Sequence, residues 1–271
     1  QGVSSAASDV YKRQMPRTNQ SRFKIAREIT NHQKMSNETQ PEQPHIGTLN
    51  EGSLHADLKQ HYLEPGDVSE APLNGFVVDL LRTQNKQNII IEIQTTSFAS
   101  MRKKLNALLD TYKIIIVYPI SIHTTLLKPD KAPRKSPKQG DLFTIFSELV
   151  SIPDLLQHPN LSFEAVLVSV SKIQKYEKQL RRNRGGYRTI NTQLISIHET
   201  HHFRHLKDFM DLLPDGLPNE FTTADISSLG KISRSVAQQM AYCFRKAGAI
   251  DEIGKTKEGK VYVKREINPQ E

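Results

Sequence analysis

The sequence predicts a mixed α/β fold carrying a smaller helical module at its C-terminal end. Three observations predict it. Short apolar runs typical of strands lie between segments whose apolar residues recur four apart. Prolines and glycines break these runs at loop spacing. After residue 218 the pattern changes to two short helices followed by two short strands. With 271 residues the chain has room for one or two domains, and its 37% hydrophobic content supplies a sizeable core, which excludes a wholly disordered protein.

Each element has its own signature. Leu54, Leu58 and Tyr62 fall four apart in a stretch free of proline until Pro65, which makes an amphipathic helix. A short strand is expected near residues 68–72. Two longer ones follow, Gly75-Phe76-Val77-Val78-Asp79-Leu80-Leu81-Arg82 and Asn88-Ile89-Ile90-Ile91-Glu92-Ile93-Gln94-Thr95. Phe98, Met101, Leu105, Leu108, Leu109 and Tyr112 then share a helical face, with Arg102, Lys103 and Lys104 largely outside it. Residues 113–120 read as a buried strand, so the order is α-β-β-β-α-β. A basic loop at 131–138 contains Arg134, Lys135 and Lys138, and helical signals follow over 141–150. Strands are expected at 163–170 and 189–197, flanking the basic turn Arg181-Arg182-Asn183-Arg184-Gly185-Gly186, and a helix around 203–213. Pro214-Asp215-Gly216-Leu217-Pro218 reads as a linker between an α/β domain at 47–213 and a second domain at 219–271.

The N-terminal stretch is set apart. Ser4-Ser5-Ala6-Ala7-Ser8-Asp9-Val10-Tyr11-Lys12-Arg13-Gln14 resembles a translated sequencing adapter, so residues 1–14 are expected to be a scar and Met15 the native start. Without Asp9, Lys12 and Arg13 the net charge falls from +8 to +7. Residues 15–46, rich in Asn, Gln, Thr, Lys and Arg, are expected to be disordered.

The charge of +8 and a pI near 9.4 favour polyanionic partners without identifying one. A single cysteine, Cys243, excludes an intramolecular disulfide framework and a multi-cysteine zinc site, and suits a reducing cytoplasm. The longest apolar stretch, residues 114–122, is far short of the roughly 20 residues that span a bilayer, so no membrane association is expected.

Chemistry enters through carboxylates in apolar strands. Strict alternation puts Val77, Asp79 and Leu81 on one face, and Phe76, Val78 and Leu80 on the other. In the next strand it puts Glu92 and Gln94 on a common face. Strands apolar on both faces belong inside a covered sheet, where an unpaired carboxylate costs several kcal/mol. A cation resolves that cost. So would strand-end exposure or pairing with a lysine or arginine. Glu51 is a third candidate, three residues before Leu54 and seven before Leu58 on the sheet-facing side of the first helix, where an acid also suits the helix dipole.

These residues carry a resemblance to the PD-(D/E)xK nuclease superfamily, whose restriction-endonuclease-like core has the same α-β-β-β-α-β order. Leu49-Asn50-Glu51-Gly52-Ser53-Leu54-His55, Gly75-Phe76-Val77-Val78-Asp79 and Ile91-Glu92-Ile93-Gln94-Thr95 are similar to phrases of bacterial proteins in which such a core precedes a winged helix. The likeness extends through Arg134-Lys135-Ser136-Pro137-Lys138 and Met240-Ala241-Tyr242-Cys243. The resemblance implies that Asp79 and Glu92 hold one or two Mg2+ or Mn2+ ions for phosphodiester cleavage, with Glu51 assisting and Gln94 at the position where the superfamily usually has lysine. Glutamine can orient water but brings no positive charge. Lys103 or Lys104 on the following helix is a candidate source of it, against the alternative of a solvated helix-surface lysine. The resemblance also makes a homodimer an expectation, and Gln94 keeps open a second one, a nucleic-acid-binding or regulatory protein on a core without turnover.

The C-terminal segment reads as a helix-turn-helix. Thr222 and Asp225 have capping-box spacing, Ser233 is a suitable N-cap, and Val236, Met240 and Phe244 lie four apart. Strands at 249–254 and 260–263 around a turn would form a wing. Arg234, Arg245, Lys246, Lys255 and Lys257 are candidate phosphate contacts, with Lys103, Lys104, Arg134, Lys135, Lys138, Arg181 and Arg182 from the larger domain, so the expected partner is nucleic acid, above all DNA. A module for packing or protein contact fits the same pattern. His198-Glu199-Thr200-His201-His202 matches the zinc-protease motif H-E-x-x-H, but that motif needs a helix, and a strand runs into it here, so a His-rich turn is expected instead. Cys243 is expected to be buried and inert.

Overall fold

The computed structural model describes residues 52–129, 131–180, 184–257 and 259–265. The expectations placed on residues 1–14, 15–46, Glu51, Arg181 and Arg182 lie outside the described residues.

Helix α1 (Ser53–Tyr62) precedes three strands, β1 (Val68–Leu73), β2 (Phe76–Gln84) and β3 (Gln87–Ile93). A short 3-10 turn (Phe98–Met101) leads into α2 (Arg102–Leu108), followed by β4 (Lys113–Leu127). The expected α-β-β-β-α-β order is present. Then come β5 (Arg134–Lys135), a 3-10 turn (Leu142–Ile145) running into α3 (Phe146–Leu149), β6 (Leu161–Tyr176), β7 (Tyr187–Phe203) and α4 (Leu206–Met210).

These strands form one mixed sheet in the order β1-β2-β3-β4-β6-β7, with β5 paired to β4. The β1-β2-β3 meander is antiparallel, β3, β4 and β6 run parallel, and β7 returns antiparallel. The β3–β4 parallel pair needs a crossover, and α2 supplies it. Alternating residues of the central strands feed two cores. Ile114, Ile116 and Phe163 pack on the α2 side with Leu105 and Leu108, while Val117, Val166 and Val168 pack on the α1 side with Leu54 and Leu58.

Several boundaries differ from expectation. The strands expected at 113–120, 163–170 and 189–197 extend to residues 127, 176 and 203. Their extensions are two-sided and half-exposed, so they lack the apolar run that marks a buried strand. The helix expected around 203–213 is the five residues of α4. The His198–His202 run is strand, not turn.

The C-terminal part has β8 (Glu220–Thr222), α5 (Thr223–Leu229), α6 (Arg234–Lys246), β9 (Ile250–Thr256) and β10 (Gly259–Lys264). Thr222 and Asp225 cap each other reciprocally at the start of α5, and Ser233 accepts the Val236 amide at 3.2 Å at the start of α6. At Gly230 a Cβ would stand 2.8 Å from the Ile226 carbonyl, so any side chain there would force the end of α5 to shift. The strands form an antiparallel sheet ordered β8-β10-β9. Residues 50–271 make one compact unit, in which Phe244 of α6 meets Phe146 of α3 edge-on at 5.4 Å.

Candidate active site

The site begins where two strands part. The β2–β3 ladder pairs Leu80 with Ile91 and stops there. Val78 packs in the α2-side core and Leu80 in the α1-side core, although strict alternation gives them one face. The strand therefore turns over at Asp79, and Val77, expected on a covered face, is 53% exposed. Asp79 fills the gap. Its Oδ2 accepts the Ile93 amide at 2.8 Å, replacing the backbone partner that β2 no longer offers, and also meets His55 Nε2 at 3.1 Å. Burial works against its ionisation more than any other single influence. The His55 hydrogen bond and charge, the Ile93 amide and the charge of Lys104 together outweigh burial and hold its carboxyl below the usual range.

Glu92 is reached from the α2 side. It is 5% exposed, and burial first, then the charge of Asp79, pushes its carboxyl up to about 7. Lys104 opposes both influences. From α2 its Nζ reaches Glu92 Oε1 at 3.0 Å, Glu92 Oε2 at 2.9 Å and the Val77 carbonyl at 2.7 Å, so its three N–H donors have three acceptors. The Val77 carbonyl is one of the groups the parted strands leave without a ladder partner. The Asp79 amide also supports the Glu92 carboxylate.

Gln94 does not join this cluster. Its backbone continues the parallel ladder to the Val117 carbonyl, but its amide nitrogen lies 2.7 to 3.1 Å from Ser97 O, Thr96 Oγ1 and Ser100 Oγ and can serve two of these at once. It ties down the loop before α2. Lys103, one residue from Lys104, is exposed. The arrangement thus joins two carboxylates of unequal acidity and one ammonium, with His55 behind Asp79. Among the described residues no cluster of three or more His, Cys, Asp or Glu is spaced to hold a metal ion, and Glu51 lies outside those residues.

The remaining candidates are dispersed. Arg134 and Lys135 are exposed on β5, at the edge of β4, and Lys138 is exposed just beyond. Arg234 opens α6, while Arg245 and Lys246 close it. Arg245 lies 3.8 Å from Glu252, so part of its charge is spent within the module. Lys255 and Lys257 are exposed along the β9 hairpin.

On β7, His198 and His202 are four strand residues apart, about 13 Å at ~3.3 Å each, too far to share a zinc ion. Cys243 is fully buried, and burial pushes its thiol up to about 12. The sequence reading missed His55, although it lies four residues after Glu51, the spacing that would have placed both on one helix face.

A family model described as a domain of unknown function, DUF8091, matches residues 52–204. The chain is also 28% identical over 190 residues to an "Uncharacterized protein" of Treponema pallidum (strain Nichols), covering 68% of this chain and 74% of that protein. No solved structure matches. Among the described residues no helix is long and apolar enough to cross a membrane.

Proposed function

We propose that this chain, which belongs to the DUF8091 domain family, is a metal-dependent phosphodiesterase acting on DNA. The observation that carries this reading is the gap between β2 and β3, where Asp79, Glu92 and Lys104 meet. Asp79 is held ionised, while Glu92, lifted to about 7, would release its proton to solvent on binding a cation. Two carboxylates and water are an adequate oxygen set for Mg2+ or Mn2+, which typically keeps several waters beside one or two protein carboxylates. Such an ion, when bound, polarises a phosphodiester oxygen and lowers the pKa of an attacking water.

The protein's own groups do the rest. His55 and the Ile93 amide fix the orientation of Asp79. Lys104, held beside Glu92, supplies the positive charge that glutamine at position 94 cannot, next to where negative charge would develop on the phosphoryl oxygens. Gln94 acts at one remove by anchoring the loop that starts α2. The α-β-β-β-α-β order with parallel β3 and β4 supports a restriction-endonuclease-like core. The α5–α6 pair with the β9–β10 hairpin supports a winged helix that brings the core to DNA.

A second reading rests on the ion pair of Lys104 with Glu92, which neutralises one of the two carboxylates internally. On that reading the protein binds nucleic acid without cutting it. The deciding experiment incubates plasmid and branched DNA with Mg2+ or Mn2+ and the wild-type, Asp79→Ala and Glu92→Ala proteins, each shown to be folded. Cleavage by wild type that both substitutions abolish is the expected result. An inert wild type that binds DNA with steep salt dependence establishes the second reading.

A further inference from the structure

The strand extensions that sequence periodicity does not mark build a groove. Two concavities of about 330 and 460 Å3 share Pro119, Ser121, Lys172 and Thr189 in their walls, so they are parts of one trough across the sheet. At one end it is lined by Gly52, Thr95 and His55, whose Nε2 sits 3.1 Å from Asp79. At the other it is lined by Lys138 and Tyr187. Along β4 the span from Pro119 to Leu126 is about 23 Å at ~3.3 Å per residue, roughly seven stacked nucleotides at ~3.4 Å each.

The lining has a consistent chemistry. Hydroxyls and amides dominate it, and no carboxylate lines either concavity among the described residues. Lys138 and Lys172 face it without a carboxylate partner among those residues. At the far end Lys128 Nζ sits 3.8 Å from the Tyr187 ring centre, and Lys131 Nζ sits 5.7 Å away. Tyr176, 47% exposed, packs edge-on against Tyr187 at 5.5 Å. Gly186 permits that pair, because a Cβ there would stand 2.5 Å from the Tyr176 ring. A positive trough with no carboxylate in its lining, ending at the half-buried Tyr187 ring and the exposed Tyr176 ring, is the arrangement that holds an unpaired nucleic-acid strand, with lysines along the backbone and rings against the bases.

We infer that this groove binds a single strand of nucleic acid and leads it to Asp79, so that the substrate is a strand end, flap or branch rather than a continuous duplex. The destination of the strand rests on the phosphodiesterase reading; the binding does not. The test is fluorescence anisotropy of labelled single-stranded DNA, single-stranded RNA and duplex DNA, over a salt series, with the full chain carrying Asp79→Ala. Adding Lys138→Glu and Lys172→Glu is expected to weaken single-strand binding at least tenfold and to reduce the salt slope by about 1.4, since each lost phosphate contact removes about 0.7. Tyr187→Ala should weaken it about tenfold without changing the slope. Lys138→Arg with Lys172→Arg should bind normally, and Lys113→Glu, exposed at the opposite end of β4, should match the parent.

Single-strand affinity unchanged by the charge reversals, in protein with unaltered thermal unfolding, overturns the proposal. DNA against RNA preference then identifies the strand. If wild type cuts nothing while the groove variants lose single-strand binding, the groove stands and the phosphodiesterase reading falls. If wild type cuts duplex and the groove variants cut and bind as before, the reverse holds.

Discussion

Glu92 ionises against burial and against the charge of Asp79, and Lys104 only partly repays it. The sign of the consequence follows. Because its folded pKa is about 7 and its ordinary value is 4.5, the unfolded chain releases this proton first as pH rises. The group therefore imposes no penalty below 4.5, and stability drains away between 4.5 and 7, by a few kcal/mol at ~1.4 kcal/mol per unit. Glu92→Gln imitates the protonated form, so its melting temperature should change less than that of wild type between pH 5 and pH 8, and should exceed it at pH 8. Parallel melting curves over that range would remove Glu92 as the titrating group. A second contrast separates two neighbours. If Lys104 supplies the charge, Lys104→Ala should lower kcat on DNA by about 100-fold or more. Gln94→Ala should cost about 1 kcal/mol of stability through its loop bonds while kcat stays near wild type. Equal kcat losses would return Gln94 to the reacting centre.

At the scale of elements, the order of helices and strands was legible because it rests on short-range periodicity, and Leu54, Leu58, Leu105 and Leu108 are all buried as their spacing requires. The parting of β2 and β3 was not legible. It depends on the Asp79 side chain capturing a backbone amide 14 residues away, which no alternation pattern encodes. Gln94 shares its predicted face with Glu92 in sequence, yet the Ser97 and Ser100 acceptors of the next loop claim its amide. Lys104 could be read as a candidate but not chosen over Lys103, because the choice depends on how α2 is rotated against the sheet. The turn joining β2 and β3 yields a separate prediction. Asn85 and Lys86 have φ of 51° and 64°, the left-handed pair of a two-residue hairpin turn, where the second position favours glycine. Lys86→Gly relieves about 1–2 kcal/mol of left-handed cost and loses about half of that to greater freedom of the unfolded chain. Thermal unfolding should rise by about 1–3 °C. Lys86→Pro, whose ring forbids that φ, should lower it, and the same sign for both would show that the turn is not the controlling feature.

Over the whole molecule, one set of aromatic contacts joins the sheet to the C-terminal module. Phe203 stacks on Phe209 at 4.3 Å, Phe209 meets Phe163 of β6 at 5.5 Å and Phe146 of α3 at 6.3 Å, and Phe146 meets Phe244 of α6 at 5.4 Å. Phe146, Leu149, Met240 and Phe244 are fully buried in the same apolar cluster as Phe163 and Ile116. The stretch from Pro214 to Pro218 thus connects two parts that share a core, and a module that folds with the sheet holds its basic helix in a fixed relation to the parted strands. If the parts are thermodynamically one unit, damage at their junction must be felt in both. Phe244→Ala removes a ring from a packed site, at a cost of about 3–5 kcal/mol, so unfolding should occur about 10 °C lower. More tellingly, amide exchange should accelerate together in α6 and in the central strands β4 and β6, because their most protected amides open through the same global event. Acceleration confined to residues 219–265, with β4 and β6 as protected as in wild type, would mean that the module unfolds alone and that its position relative to the sheet is not fixed by folding.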